Sequence, residues 1–225
     1  MVGTKTRPNQ RFNSLNISTM SEEVIIAVPR KVINETLLDN PFGFISDNVE
    51  NLYIKILSNC IQMIRSHAEN DNSHKQIIPY VLINYKEKFF LSRRKNTQTE
   101  KRLHNKMSIG FGGHINPVDY SSDYDLIIGG LIREIREEIN IGDFSIPQLI
   151  GFINDDVSEV GQVHIGLLFE IELNYSEIEI IEKDKMDGRW VTIAEMEENY
   201  EYLESWSKIA FDSYVKKKNI WPFKN

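Results

Sequence analysis

The first strong pattern along the chain is a β-branched run, Val24-Ile25-Ile26-Ala27-Val28, which predicts a short strand closed by Pro29. The Pro- and Gly-punctuated stretch Asn40-Pro41-Phe42-Gly43-Phe44 then predicts turns. Between Asn48 and Glu69, Leu52, Ile56, Ile61, Met63 and Ile64 recur at near-helical intervals, with Asp47 or Asn48 available as a cap, so one amphipathic helix is expected there. Ile77-Ile78-Pro79-Tyr80-Val81-Leu82-Ile83 reads as a buried strand, Tyr85 to Lys88 as a turn, and Phe89 to Arg93 as the returning arm of a hairpin. After a polar loop, Arg94 to Asn105, the string Gly110-Phe111-Gly112-Gly113-His114-Ile115 must bend sharply or let something approach its backbone.

The longest helical pattern runs from Asp125 to Ile139. Ile128, Ile132, Ile135 and Ile139 form an apolar stripe, and Asn140 is expected to close the helix as a left-handed cap. Beyond it, Gln148 to Ile153, Val163 to Leu173 and Gly188 to Ile193 read as strands, and Ile193 to Val215 as one or two helices. Strands and helices alternate irregularly, so the expected class is α+β, a mixed sheet between helices. Three segments follow: an aperiodic tail over residues 1–20, a strand/helix elaboration over 21–75 packed on the main domain, and the main domain over 76–225.

Composition narrows the function classes. A formal charge of −7 argues against gripping a nucleic-acid backbone, which needs clustered Lys and Arg. No apolar run approaches the roughly 20 residues needed to span a bilayer, and the polar start lacks a secretory block, so a cytoplasmic location without membrane contact is expected. The single cysteine, Cys60, makes neither an internal disulfide nor a zinc cluster. A small anionic substrate stays open, because an acidic pocket that first loads a divalent cation becomes a phosphate site.

On the long helix Glu134 is four residues from Glu138 and three from Glu137, which sets three carboxylates toward one side. Such a charge run is ordinarily a solvated face, with Arg133 and Arg136 pairing to the glutamates. The double glycine about twenty residues upstream changes that reading, since its position after a strand lets a backbone carbonyl reach toward the helix. A divalent ion would relieve the repulsion among the acids and gain hard oxygen ligands.

Gly113 followed by Arg133-Glu134-Ile135-Arg136-Glu137-Glu138-Ile139-Asn140-Ile141 resembles the Nudix box, G-x5-E-x7-R-E-U-x-E-E-x-G-U, where U is a bulky aliphatic residue. The second half matches at every defined position except the glycine replaced by Asn140. Counting from Gly113, the first acid of the box falls on Asp119 and Arg133 arrives six residues late, so the chain carries an insertion around Tyr120 to Gly130. Asp123 or Asp125 fills the place of that acid equally well. The resemblance spans about Gln76 to Val215, and residues 1–75 have no counterpart in a minimal domain of this kind.

The resemblance to Nudix (MutT-like) hydrolases implies an α/β/α sandwich and a hydrolase that cleaves a diphosphate linkage in a nucleoside diphosphate derivative by attack of water at phosphorus. It implies one to three Mg2+ (or Mn2+) ions held by Glu134, Glu137, Glu138 and the Gly112 carbonyl, with Arg133 fixing a carboxylate. A general base is also implied: Glu182 is favoured, with Glu159 or a glutamate of the box as alternatives. Arg93, Gly113 and His114 are expected on the substrate, while His164 has a structural role open to it. The expected partner is a small-molecule diphosphate; the resemblance leaves a homodimer open. A non-catalytic sensor that binds a nucleotide on the same fold is the rival function. An isomerase of the same fold would need a cysteine near the metal site, where Cys60 does not belong, and a decapping enzyme would need a basic groove.

Overall fold

The computed structural model of the chain describes residues 22–37, 42–95 and 106–220. The expected tail and residues 96–105 of the polar loop lie outside the described residues. The predicted first strand is β1 (Val24–Pro29), and a helix the pattern did not announce, α1 (Arg30–Leu37), begins directly after the proline. Phe42–Ile45 form a strand, β2, where turns were expected, because Phe44 and Ile45 find ladder partners in Ile153 and Phe152. The single helix expected from Asn48 to Glu69 is corrected to three elements: α2 (Val49–Asn59), β3 (Ile61–Ile64) and α3 (Arg65–Ala68). Cys60 turns extended (φ −68°, ψ 148°), and Ile61–Ile64 pair with β1 from Ala27 to Val24. An apolar run compatible with either period takes whichever partner the tertiary structure offers, here an open strand edge.

The hairpin reads as predicted: β4 (His74–Tyr85) and β5 (Lys88–Arg94) turn at Lys86, which adopts φ 55°. These two strands pair only at Asn84↔Phe89 and Tyr85↔Lys88 before they diverge. Two short strands fill the opening, β6 (Met107–Ser108) against β5 and β7 (Gly110–Phe111) against β4. On the same edge of β4, β1 pairs at Ala27↔Gln76, so the ladder has a gap between Gln76 and Val81. Pro79, which has no amide hydrogen to donate, stands in that gap. The chain passes it at Gly112, where a Cβ would lie 1.9 Å from the Pro79 carbonyl oxygen, so only glycine fits.

The long helix is α4 (Leu126–Glu138), with Asp125 as its N-cap accepting from the Ile127 and Ile128 amides. Its buried stripe is Ile127, Leu131 and Ile135, with Ile132 at the margin; Ile128, placed in the stripe by the sequence, is only partly buried. Asn140 is not a left-handed cap. Ile139 is already extended (φ −134°), and Ile139–Ile141 form β8, whose Asn140 lies opposite Glu179 of a later strand. Burial of Ile139 in the core draws the chain straight from helix into ladder.

The remaining strands are β9 (Gln148–Asp155), β10 (His164–Leu173), β11 (Ile178–Ile180), which pairs with β8 as a separate ribbon, and β12 (Met186–Val191). Between β9 and β10 lies one helical turn, α5 (Glu159–Gln162); α6 (Ile193–Glu198), α7 (Ser205–Ala210) and α8 (Lys216–Ile220) follow, with a π-helical stretch, Phe211–Val215, joining the last two. The main sheet runs β12-β5-β4-β10-β9-β2, with β10 parallel to β4 and the other pairs antiparallel. One face packs against α1, α2 and α4 through Val32, Ile33, Leu52, Ile56, Leu131 and Ile135. The other packs against α6, α7 and the π-helical stretch through Met196, Ile209, Ala210, Phe211 and Val215. The result is the expected α+β architecture, a mixed sheet between two helical layers. No described helix is long and apolar enough to cross a membrane.

Candidate active site

The Gly112-Gly113 corner, which follows β7, lies against the C-terminal half of α4. A Cβ built on Gly113 would lie 2.4 Å from Glu134 Oε2, so the corner sits directly on the helix carboxylate, as the spacing of the two motifs requires. Arg133 binds the surrounding pieces together. Its Nε and Nη2 donate to the two oxygens of Asp119 at 2.7 and 3.0 Å, Nη2 also donates to the His114 carbonyl at 2.7 Å, and Nη1 reaches Glu134 at 2.8 Å and Glu137 at 3.2 Å. The Asp119 hydrogen bonds, together with that to Glu134, raise the Arg133 pKa above its ordinary value.

Of the three aspartates left open by the sequence, Asp119 is the one bonded to Arg133. It is buried, and its Oδ2 also accepts from the Asn116 amide at 2.8 Å. Asp125 caps α4 and accepts from the Tyr53 hydroxyl, while Asp123 is exposed in the inserted loop. The bidentate Arg133–Asp119 pair therefore ties the loop to the helix, and it does so across the insertion.

The three box glutamates differ in surroundings. Glu134 has a side chain only 16% exposed, and burial pushes its pKa up while Arg133 pulls it down. Glu137 is turned outward, 59% exposed, and shares the Arg133 guanidinium. Burial pushes Glu138 up to about 7; Arg94 opposes this, and Glu134, Glu182 and Glu204 add to it. Three carboxylates, Glu134 of α4, Glu182 from the turn before β12 and Glu204 at the start of α7, thus bear on Glu138. Among the described residues no three His, Cys, Asp or Glu side chains stand close enough together to hold a cation as they are. The Arg133 guanidinium, lying between Glu134 and Glu137, supplies the neutralising charge. The donor set nevertheless suits a hard divalent ion, since acids that raise one another's proton affinity are relieved by one, and hard oxygens are its preferred ligands.

Glu204 gave no sequence signal. It stands at the N-cap of α7, where its amide donates to the Met107 carbonyl at 3.0 Å, and its Oε1 accepts from Ser108 at 2.6 Å and Tyr80 at 3.1 Å. Tyr80, Ser108 and Ser207 form a hydroxyl cluster that fixes its direction. Only the crossing of β6 under α7 brings these distant positions together.

The other predicted residues are placed as follows. Glu182 pairs with Lys185 and lies near Glu138, whose proton affinity it raises. Glu159 is on α5, a turn tied to the N-terminal end of β4 by Lys75. Arg93 is exposed on β5, opposite Met107 and Asp187 in the ladders. His114 follows the glycine corner and bonds Gln76; burial and the neighbouring cations Arg65 and Arg133, with His164, lower its pKa to about 3. The surface depressions around Tyr200 and around Tyr175 contain no box carboxylate.

No protein-family model matches the chain. It is 33% identical over 199 residues to Protein YmaB of Bacillus subtilis (strain 168), an alignment covering 85% of this chain and 97% of that protein. The crystal structure of Tm1382, assigned to the Nudix hydrolases, matches with a TM-score of 0.74 at 27% identity, covering 87% of this chain and 100% of that one.

Proposed function

Since the chain belongs to the Nudix (MutT-like) hydrolase family, we propose that it is a metal-dependent hydrolase that cleaves a diphosphate linkage in a nucleoside diphosphate derivative by attack of water at phosphorus. The observation that carries this reading is the Gly112-Gly113 corner seated on Glu134 of the box helix, with Arg133 held by Asp119 and reaching Glu134 and Glu137. Glu134, Glu137, Glu138 and the Gly112 carbonyl are the groups that would hold Mg2+ or Mn2+. When bound, such an ion supplies charge neutralisation of the diphosphate oxygens and activation of water.

The chain's own residues do the rest. Arg133 orients Glu134 and Glu137 through one guanidinium, and Asp119 holds that guanidinium in turn. Glu182, close enough to raise the proton affinity of Glu138, is the proposed acceptor of the proton lost by water; Glu204, held by Ser108 and Tyr80, is the second carboxylate placed for that role. Gly113, which has no side chain, lets the corner backbone lie against the Glu134 carboxylate. Arg93 and His114 are proposed to meet the substrate.

The test is hydrolysis of a panel of nucleoside triphosphates, ADP-ribose, dinucleoside polyphosphates, NADH and coenzyme A, with and without Mg2+, in 18O-labelled water. The expected result is Mg2+-dependent cleavage with label on one phosphate product, lost in Glu138→Gln. Tight nucleotide binding with no turnover of any compound would instead establish the sensor reading.

A further inference from the structure

The buried stripe of α4, Ile127, Leu131 and Ile135, holds the helix to the sheet, but hydrophobic contact is non-directional and does not by itself fix how far the helix sits along its axis. Directional bonds do that. In the C-terminal half Arg133 donates to the His114 carbonyl and to Asp119. At the other end Asp125 caps the helix, and the Tyr53 hydroxyl of α2 donates between its two oxygens at 3.0 and 2.9 Å. The fit of loop on helix leaves little slack, since a Cβ on Gly129 would lie 2.0 Å from the Asp119 carbonyl oxygen.

Tyr53 belongs to the segment before residue 76, and a second tie comes from the same segment. The Ile26 amide of β1 donates to the Ile115 carbonyl at 2.9 Å, two residues past Gly113. Three successive residues after the corner are thereby held: His114 by Arg133 of α4, Ile115 by β1, and Asn116 by Asp119. The insertion around Tyr120 to Gly130 lengthens the connection from corner to helix, and a longer connection restrains its two ends less. The N-terminal segment grips both ends of it. Glu134 is nine residues beyond Asp125, about 13 Å along the axis at 1.5 Å per residue, so a helix moving as a unit carries a shift at its cap to the glutamates.

We infer that Tyr53 is a positioning residue for the proposed hydrolysis: by holding Asp125 it sets the axial position of α4, and with it the placement of Glu134, Glu137 and Glu138 against the Gly112-Gly113 corner. This rests on the hydrolase reading for the role of the glutamates, and it deepens that reading by giving the N-terminal segment a task at the site. Tyr53→Phe isolates the hydroxyl, because the ring keeps its edge-on contact with Phe169 at 6.5 Å.

The test compares Tyr53→Phe with Tyr214→Phe in the full chain. Tyr214 also donates to a carboxylate, Glu170 at 2.8 Å, but from the helical layer on the other face of the sheet, so it reports what loss of such a bond does to stability alone. In metal-free protein the Arg133 Nε–H signal, assigned by its loss in Arg133→Lys, is followed by 15N–1H correlation. With Mg2+, kcat and KM are measured on whichever diphosphate of the panel the unaltered chain cleaves. The expected result for Tyr53→Phe is a displaced Arg133 signal and a kcat lowered roughly tenfold with KM little changed, as for loss of a group that orients a ligand. Tyr214→Phe should lower Tm and leave both readouts in place. An unmoved Arg133 signal in Tyr53→Phe, an unchanged kcat, or equal effects of the two variants overturns the inference and leaves Tyr53 as a packing residue. Failure of the hydrolase reading looks different: the unaltered chain cleaves no diphosphate in the panel, and the Arg133 signal alone then decides whether Tyr53 positions α4.

Discussion

Replacing Glu138 by Gln keeps the shape of the side chain and removes its charge, which separates two consequences of its position. Turnover is expected to fall by roughly a hundredfold or more in Glu138→Gln and Glu137→Gln, as for loss of a group that holds a catalytic ion. Circular dichroism should show the fold intact; full activity in both variants would return the acids to a solvated helix face. Stability should respond in the opposite sense for Glu138. Its pKa is raised from 4.5 to about 7 by burial, so the folded chain keeps a proton that the unfolded chain has lost. Its contribution is complete below about pH 4.5 and disappears as pH rises through 7, on the order of 3 kcal/mol or 6–12 °C in Tm for a chain of this size. Metal-free protein should show that fall by calorimetry, and Glu138→Gln should flatten it. At this scale the sequence placed the glutamates and Arg133 together on one helix, because their spacing is local. It could not choose Asp119 over Asp123 or Asp125, nor find Glu204 and Tyr53, whose partners are 14 to 124 residues away along the chain.

At the scale of elements, two adjacent glycines make separable predictions. A Cβ at Gly113 meets the end of a flexible carboxylate, so Gly113→Ala should displace Glu134, lowering kcat while Tm changes by only a few degrees. At Gly112 the neighbour is the Pro79 backbone oxygen at 1.9 Å, which cannot swing away, so Gly112→Ala should cost about 1–3 kcal/mol in denaturant unfolding. Asp119→Asn tests the tie between loop and α4: activity should drop roughly 10–100-fold, with KM and kcat measured separately to locate the loss. Equal stability and activity for all three variants would mean that the corner does not position the helix. Here the strong periodic segments were legible, namely β4, β5, β10 and α4. The short apolar runs were not, because Phe42–Ile45 and Ile61–Ile64 are four residues each and become strands only through their partners in β9 and β1.

The whole molecule shares one core across the boundary that the sequence drew near residue 76. Ile26, Val28, Val32, Ile33, Leu52 and Ile56 belong to the same buried cluster as Ile77, Leu131 and Phe169. At roughly 1.5–3 kcal/mol for each buried aliphatic side chain, those six positions amount to on the order of 10 kcal/mol, comparable to the entire stability of an ordinary domain. A chain starting at Gln76 is therefore expected to fail to fold, and the full chain to melt in one transition by calorimetry; a stable, cooperative fragment would show the N-terminal segment to be an accessory. By itself the sequence determined the amphipathic helix with its acids, the glycine corner and the mixed α+β class, since each is written in spacings shorter than one element. The tertiary structure alone decided which strand edge captured the short runs, how far β4 and β5 part, and which remote side chains, such as Asp119 with Arg133 and Glu204 with Tyr80 and Ser108, become partners. Those outcomes depend on contacts between positions far apart in the chain, and no local period records them.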